Sequence, residues 1–235
     1  MGPAQQPIEL ESVTIRIAGD SGDGMQLTGD QLTDTSAMMG NDIATLPDFP
    51  AEIRAPQGTL PGVSSFQIQF SAKDVFTAGD QPDVLVVMNP AALKVNLGDL
   101  AKGGLLVVNS DSFNEDNLKK AGWTSNPLED GKTLRDYSTI KVPFGTLTRN
   151  ALTDVKIKTS EVDRCKNYFA LGLLFWMYGR SMEHTIQWTK EKFSKKPEYA
   201  EANIMALKAG YNYGDIAEMA PSKYQVRKAQ LEPGA

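Results

Sequence analysis

The sequence predicts an α/β fold: a three-layer, Rossmann-like, mostly parallel sheet with helices on both faces and a helical C-terminal region. Three observations carry that expectation. Asp83-Val84-Leu85-Val86-Val87-Met88 and Leu105-Leu106-Val107-Val108 are uninterrupted apolar runs, the composition of central parallel strands buried on both faces. Between them lies a helix signal, with Asn89 as cap, Pro90 at the first helical position, and Leu93, Leu97 and Leu100 along one face before Gly103-Gly104. This is a β-α-β unit, whose crossover is right-handed. Third, the alternating run from Val13 to Ala18 reads as a strand, and it enters a glycine turn followed by a helical pattern.

Composition bounds the function classes. At 235 residues the chain can form one large domain or a domain with an appendage. A hydrophobic fraction of 41% and a charged fraction of 23% are ordinary for a soluble globular protein. The net charge of −5 gives no support to nucleic-acid binding, and the lysines at 190, 192, 195 and 196 are interspersed with glutamates. No apolar run approaches membrane-spanning length, and the N-terminus lacks the charge-then-apolar order of a secretory signal. The expectation is a cytoplasmic protein with no membrane contact. Cys165 is the only cysteine, which excludes an intrachain disulfide and a four-cysteine iron–sulfur cluster held by this chain alone. His184, the only histidine, argues against a local zinc site and reads as a surface or packing residue.

The elements follow in order. After the first strand, Gly19-Asp20-Ser21-Gly22-Asp23-Gly24-Met25-Gln26-Leu27-Thr28-Gly29 places three glycines within six residues ahead of a helix from about Met25 to Met39. Asp23 is its expected N-cap and Gly40 its left-handed stop. The free amides of that helix and its dipole suit an anion. The spacing is G-x-x-G-x-G, unlike the dinucleotide fingerprint. Two readings stay open: a phosphate-binding turn, or a tight strand-to-helix connection without a ligand. Asp42 to Leu46 reads as a short strand, after which Pro47, Pro50, Pro56 and Pro61 with Gly58 and Gly62 argue against regular structure. On that stiffened loop, Arg54 is either pre-positioned for a phosphate or paired with Glu52 at the surface.

Val63 to Phe70 alternates strictly and predicts a strand with one solvent face. Asp111 to Ser138 reads as a long polar excursion with one short helix; Thr139 to Val142 is a last strand, followed by a helix through Leu152. Asn89, Ser110 and Thr146 fall just after strand ends, where open α/β sheets bind ligands. From Glu161 the pattern is helical. An apolar helix begins at Asn167, with Gly172 expected to pack against the sheet, and helices follow over 181–194 and 197–219. The expected organisation is an N-terminal extension over 1–11, one domain over 12–219, and a linker or arm over 220–235.

Four ordered blocks carry a family resemblance: the glycine turn at 19–29, Phe-Pro-Ala-Glu-Ile-Arg-Ala-Pro-Gln-Gly-Thr at 49–59, Pro-Asp-Val-Leu-Val-Val-Met-Asn at 82–89, and Asn-Tyr-Phe-Ala-Leu-Gly at 167–172. Together they resemble the gamma domain of 2-oxoacid:ferredoxin oxidoreductases. The likeness is greatest to the form fused N-terminally to the alpha subunit of 2-oxoglutarate:ferredoxin oxidoreductases, also called 2-oxoglutarate synthases. The resemblance implies an enzyme that oxidatively decarboxylates a 2-oxoacid to an acyl-CoA and passes electrons to ferredoxin. It implies thiamine diphosphate, magnesium and [4Fe-4S] clusters on alpha and beta parts, with the arm leading toward an alpha domain. It gives this domain the task of positioning coenzyme A, with no catalytic or metal-ligating residue here. The residues it points to are Ser21, Gly22, Asp23, Gly24, Met25, Thr28, Arg54 and Asn167, joined by the strand-end residues Asn89 and Thr146. Two other readings are a free-standing dinucleotide-dependent oxidoreductase, with Asp42 or Asp48 at the ribose, and a structural adaptor without a small ligand.

Overall fold

The computed structural model describes residues 7–52, 54–216 and 223–230. In chain order the strands are β1 (Ile8–Leu10), β2 (Ser12–Asp20), β3 (Asp42–Asp48), β4 (Val63–Ser71), β5 (Val84–Val87), β6 (Leu105–Asn109), β7 (Ser138–Val142) and β8 (Tyr224–Val226). The helices are α1 (Met25–Met38), α2 (Pro90–Asn96), α3 (Glu115–Lys120), α4 (Phe144–Ala151), α5 (Thr159–Val162), α6 (Lys166–Met177), α7 (Glu183–Lys192) and α8 (Pro197–Ile216). Six strands form one sheet in the order β3-β4-β2-β5-β6-β7. The pairs β2–β5, β5–β6 and β6–β7 are parallel, and β4 runs antiparallel to both β2 and β3.

Period-two alternation divides the central strands between two cores. Ile15, Ile17, Val84, Val86 and Val107 face one core, into which α1, α6 and α8 send Met25, Phe169 and Leu207. Ala18, Leu85, Val87, Leu106 and Val108 face the other, closed by Leu93 of α2 and Leu118 of α3. The expected three layers are present. The order of crossovers reverses between β2 and β5, so the cleft outside their C-terminal ends is the topological switch point.

Three expectations are corrected. The strand β4 has no solvent face: Gln67, 2% exposed, accepts from Arg16 Nε at 2.8 Å and donates to the carbonyls of Ala78 and Gly79. A segment folded over the sheet supplies partners for side chains that alternate like surface residues. Pro47 does not end the strand before it; β3 continues to Asp48, because an edge strand has one side whose missing N–H leaves no partner wanting. Gly172 packs on a helix, since a Cβ there would lie 2.0 Å from the carbonyl oxygen of Leu207 in α8. Reciprocally, a Cβ at Gly210 would lie 1.9 Å from the Phe169 carbonyl oxygen, so α6 and α8 cross backbone to backbone.

Finally, the arm is docked where it is described. Its β8 pairs in parallel with β1, Tyr224 stacks on Tyr178 with ring centroids 5.7 Å apart, and the Arg227 carbonyl accepts from Asn41 Nδ2 at 2.7 Å. Residues 217–222 and 231–235, part of the expected last helix and arm, lie outside the described residues, as do 1–6 of the expected extension. Among the described residues, no helix is long and apolar enough to cross a membrane.

Candidate functional site

At the C-terminal ends of β2 and β5 lies a polar cleft of about 200 Å³. Of the glycine turn, Asp20 and Asp23 line it. The helix α1 has Gly24 as its N-cap, at φ +74°, with no side-chain cap. The expected cap, Asp23, is displaced one residue upstream because only glycine takes the left-handed conformation at the join without strain. The Thr28 amide is the first to bond back within the helix, to the Gly24 carbonyl at 3.0 Å, so the amides before it have no helical acceptor.

The Asp23 carboxylate has work of its own. It accepts the Asp20 N–H at 3.1 Å and pairs with Lys166 Nζ at 2.8 Å, both side chains being largely buried. Asp20 closes the cleft from the other side: both its carboxylate oxygens lie 3.1 Å from the Gly58 N–H of the proline-rich loop. Burial pushes the Asp20 carboxyl above its ordinary pKa, and Asp23 adds to the push. The Gly58 N–H, the Asn89 side chain and Lys166 pull it partly back.

The structure brings together some of the residues expected from sequence and separates others. Asp23 and Asn89 line the cleft, and Asn89 also caps α2 by accepting the Ala92 N–H at 2.8 Å. Asn167, 6% exposed, lies over the turn: a Cβ on Gly24 would come within 2.4 Å of its Nδ2. It is the second residue of α6 and not its cap, and its own Oδ1 accepts the Tyr168 N–H. Ser21 and Gly22 are exposed at the rim. Met25 and Thr28 are buried beneath the turn, where the Thr28 hydroxyl donates to the Gly24 carbonyl at 3.1 Å. Their role is to hold α1, not to face the cleft. Arg54 is exposed on the loop outside the cleft lining. Thr146 stands apart at the start of α4, its N–H donated to the Asp111 carboxylate at 2.7 Å.

Three charged residues were missed: Asp20, Lys120 and Lys166 line the cleft. Lys166 directly precedes the Asn167 block, and Asp20 sits inside the glycine motif, so both were adjacent to a recognised signal. Lys120, on the polar excursion, carried none. Neither ribose candidate suits a dinucleotide. Asp42 starts β3 at the opposite end of the sheet and accepts the Val75 N–H, while the antiparallel β4 separates Asp48 from β2.

Comparison with known proteins follows the geometry. The profile of the family described as pyruvate ferredoxin/flavodoxin oxidoreductase matches residues 14–213. The chain is 58% identical to the 2-oxoglutarate oxidoreductase subunit KorA of Mycobacterium tuberculosis over 225 residues, covering 96% of this chain and 34% of that protein. It is 29% identical to the 2-oxoglutarate synthase subunit KorC of Methanothermobacter marburgensis, covering 83% of this chain and 93% of that subunit. Among solved structures, the 2-oxoglutarate:ferredoxin oxidoreductase of Magnetococcus marinus, with 2-oxoglutarate, coenzyme A and succinyl-CoA bound, shares the fold at a TM-score of 0.69 and 23% identity, covering 94% of this chain and 34% of that one. The gamma subunit of the keto/oxoacid ferredoxin oxidoreductase of Geobacter sulfurreducens shares it at a TM-score of 0.53 and 20% identity, covering 85% and 99%. The chain thus spans about a third of the length of KorA, whereas it covers 93% of KorC and 99% of the Geobacter sulfurreducens subunit. By the extent of the profile and the identity to KorA, this chain belongs to the pyruvate ferredoxin/flavodoxin oxidoreductase family.

Proposed function

We propose that this chain is the gamma-type part of a 2-oxoacid:ferredoxin oxidoreductase acting on 2-oxoglutarate, and that its cleft holds the phosphates of coenzyme A. The reaction converts 2-oxoglutarate and coenzyme A to succinyl-CoA and carbon dioxide, with two electrons passed to ferredoxin. The identity to KorA supports the substrate, and the coenzyme A in the Magnetococcus marinus enzyme supports the ligand. One observation in this structure carries the reading: an uncapped helix N-terminus opens beside Lys166 at the switch point of the sheet.

Mechanistically the chain positions. Lys166 faces the anion from the cleft lining, Lys120 adds a second cation from α3, and the start of α1 adjoins the cleft through Asp23. Ser21 and Gly22 let a ligand approach the rim, and Asn167 fixes the turn from behind. Asp23 keeps Lys166 aimed at the cleft when no phosphate is bound. Arg54 reaches the nucleotide from the exposed loop. Holding the second substrate this way raises its effective concentration and needs no acid or base here.

A [4Fe-4S] cluster does not fit this chain's donor set, and thiamine diphosphate and magnesium are proposed to sit with it on partner parts. The chain's one cysteine is buried with the thiol pushed up to about 12 by burial, and the described residues contain no grouping of three His, Cys, Asp or Glu suited to a metal. They are assigned to alpha and beta parts, where thiamine diphosphate supplies the carbanion chemistry. Leu46 and Phe49, 54% and 68% exposed along the β3 edge, suit contact with such a part.

Isothermal titration of the assembled complex with coenzyme A tests the reading. Gly22→Val, which a Cβ position 3.8 Å from Gln57 Nε2 accommodates without strain, blocks the rim, and Arg54→Ala removes the loop cation. Both should weaken coenzyme A binding about tenfold or more, Arg54→Ala by the worth of one lost charge-assisted contact and Gly22→Val by blocking the ligand's approach. Unchanged affinity in both refutes the site, and tight NADH binding would favour a dinucleotide enzyme instead.

A further inference from the structure

Between β3 and β4 the chain makes an excursion that crosses the mouth of the cleft. Its internal bonds brace it against itself: the Glu52 N–H donates to the Pro61 carbonyl, the Ala55 N–H to that of Glu52, and the Thr59 N–H and hydroxyl both to that of Pro56. At its tip, Gly58 takes φ +81°, which turns its N–H inward onto the carboxylate of Asp20. A Cβ on Gly58 would come within 3.6 Å of Lys120 Cδ and 3.9 Å of Asn117 Oδ1, so the tip also lies against α3. Among the described loop residues, Gly58 is thus the one that donates to a charged acceptor at the sheet end.

We propose that Asp20 is a positioning residue, a latch whose carboxylate holds the loop over the cleft and thereby places Arg54 for the coenzyme phosphates. The proposal rests on the coenzyme reading for its functional half only. Asp20 is poorly explained otherwise. It terminates β2, a place where a carboxylate opposes an anion site, and it lies beside a second carboxylate, that of Asp23. Burial and Asp23 both work against its charge, and the Gly58 N–H answers them. The arrangement keeps an anionic hook inside the cleft without presenting it to the ligand, because Gly58, Asn89 and Lys166 take up its charge. The bond also spans 38 residues of sequence, so it fixes the loop relative to α1 and not merely within itself.

Amide hydrogen exchange on the full chain, paired with steady-state kinetics of the assembled enzyme, tests this. In the unaltered chain the Gly58 amide should exchange at least tenfold more slowly than its exposed loop neighbours; exchange as fast as theirs overturns the latch, with no variant needed. Asp20→Ala should accelerate Gly58 exchange at least tenfold while the core strands keep their protection. Asp20→Asn, which retains one acceptor, should restore most of it. In the assembled enzyme, Asp20→Ala should raise KM for coenzyme A about as much as Arg54→Ala does, with kcat unchanged. If Arg54→Ala raises KM and Asp20→Ala does not, the positioning role is overturned. If exchange accelerates in Asp20→Ala and neither variant moves KM, the latch stands and the coenzyme reading fails.

Discussion

Replacing Gly24 by alanine tests the geometry of the turn, because two separable costs meet at one position. The first is backbone strain: φ is +74°, and holding an L-residue there costs about 1–2 kcal/mol. The second is collision, since the new Cβ would sit 2.4 Å from Asn167 Nδ2, roughly an ångström closer than ordinary contact. Moving a buried amide that far costs about 1–2 kcal/mol more, in the range of overpacked cores. The total, about 2–4 kcal/mol, corresponds to a fall in Tm of about 5–15 °C for a chain of this size. Differential scanning calorimetry reads it, with Gly22→Ala as the control. Gly22 has no left-handed conformation and open space around it, so its variant should stay within about 0.5 kcal/mol of the parent. Adding Asn167→Ala to Gly24→Ala should return the collision part and leave the strain, giving a coupling of about 1–2 kcal/mol. A Gly24→Ala protein as stable as Gly22→Ala would refute the left-handed cap and its packing against α6.

Further outcomes follow from the crossing of α6 and α8 and from the buried thiol. Gly210→Ala should destabilise by about 2 kcal/mol or more, although helix propensity alone would stabilise it by about 1 kcal/mol, because the added Cβ meets the Phe169 carbonyl oxygen at 1.9 Å. Gly98→Ala, with nothing within 4 Å, should show no such loss, and calorimetry separates the two. Cys165 should resist thiol reagents at pH 8 until the chain unfolds, since burial raises its pKa from 9.0 to about 12. The unfolded thiol ionises first, so this group favours folding below pH 9 and its contribution is lost as pH rises toward 12. Alkaline unfolding should therefore be less steep in Cys165→Ala than in the parent.

The strands of the sheet were legible because burial on both faces writes an unbroken apolar run, as in Val84 to Val87, and because Asn89-Pro90 announces a helix start in two residues. The polar alternation of β4 misled for a physical reason: a glutamine looks the same whether it meets water or, as Gln67 does, an arginine and two carbonyls from a covering segment. Gly172 was correctly read as a close approach, but which surface approaches it depends on where α8 returns, which no local pattern records. At the site, the glycine turn and Asn167 were visible as motifs. Asp20 and Lys166 lay within or beside those motifs and Lys120 in none, but their placing at the cleft was not visible, because the cleft pairs residues far apart, such as Asp20 with Gly58, 38 positions on. Charge in a sequence has no direction until the fold supplies one.

The central claim is that this cleft holds a phosphate-bearing second substrate at the start of α1. The most direct measurement is the pair kcat and KM for coenzyme A in the assembled enzyme carrying Lys166→Met. Methionine keeps the stem and removes the cation that Asp23 holds 2.8 Å away at the cleft. The expected result is a KM for coenzyme A raised about 10- to 100-fold, the worth of one charge-assisted contact to a phosphate, with kcat and the KM for 2-oxoglutarate unchanged. An unchanged KM for coenzyme A, in an enzyme that assembles and turns over normally, would contradict the account.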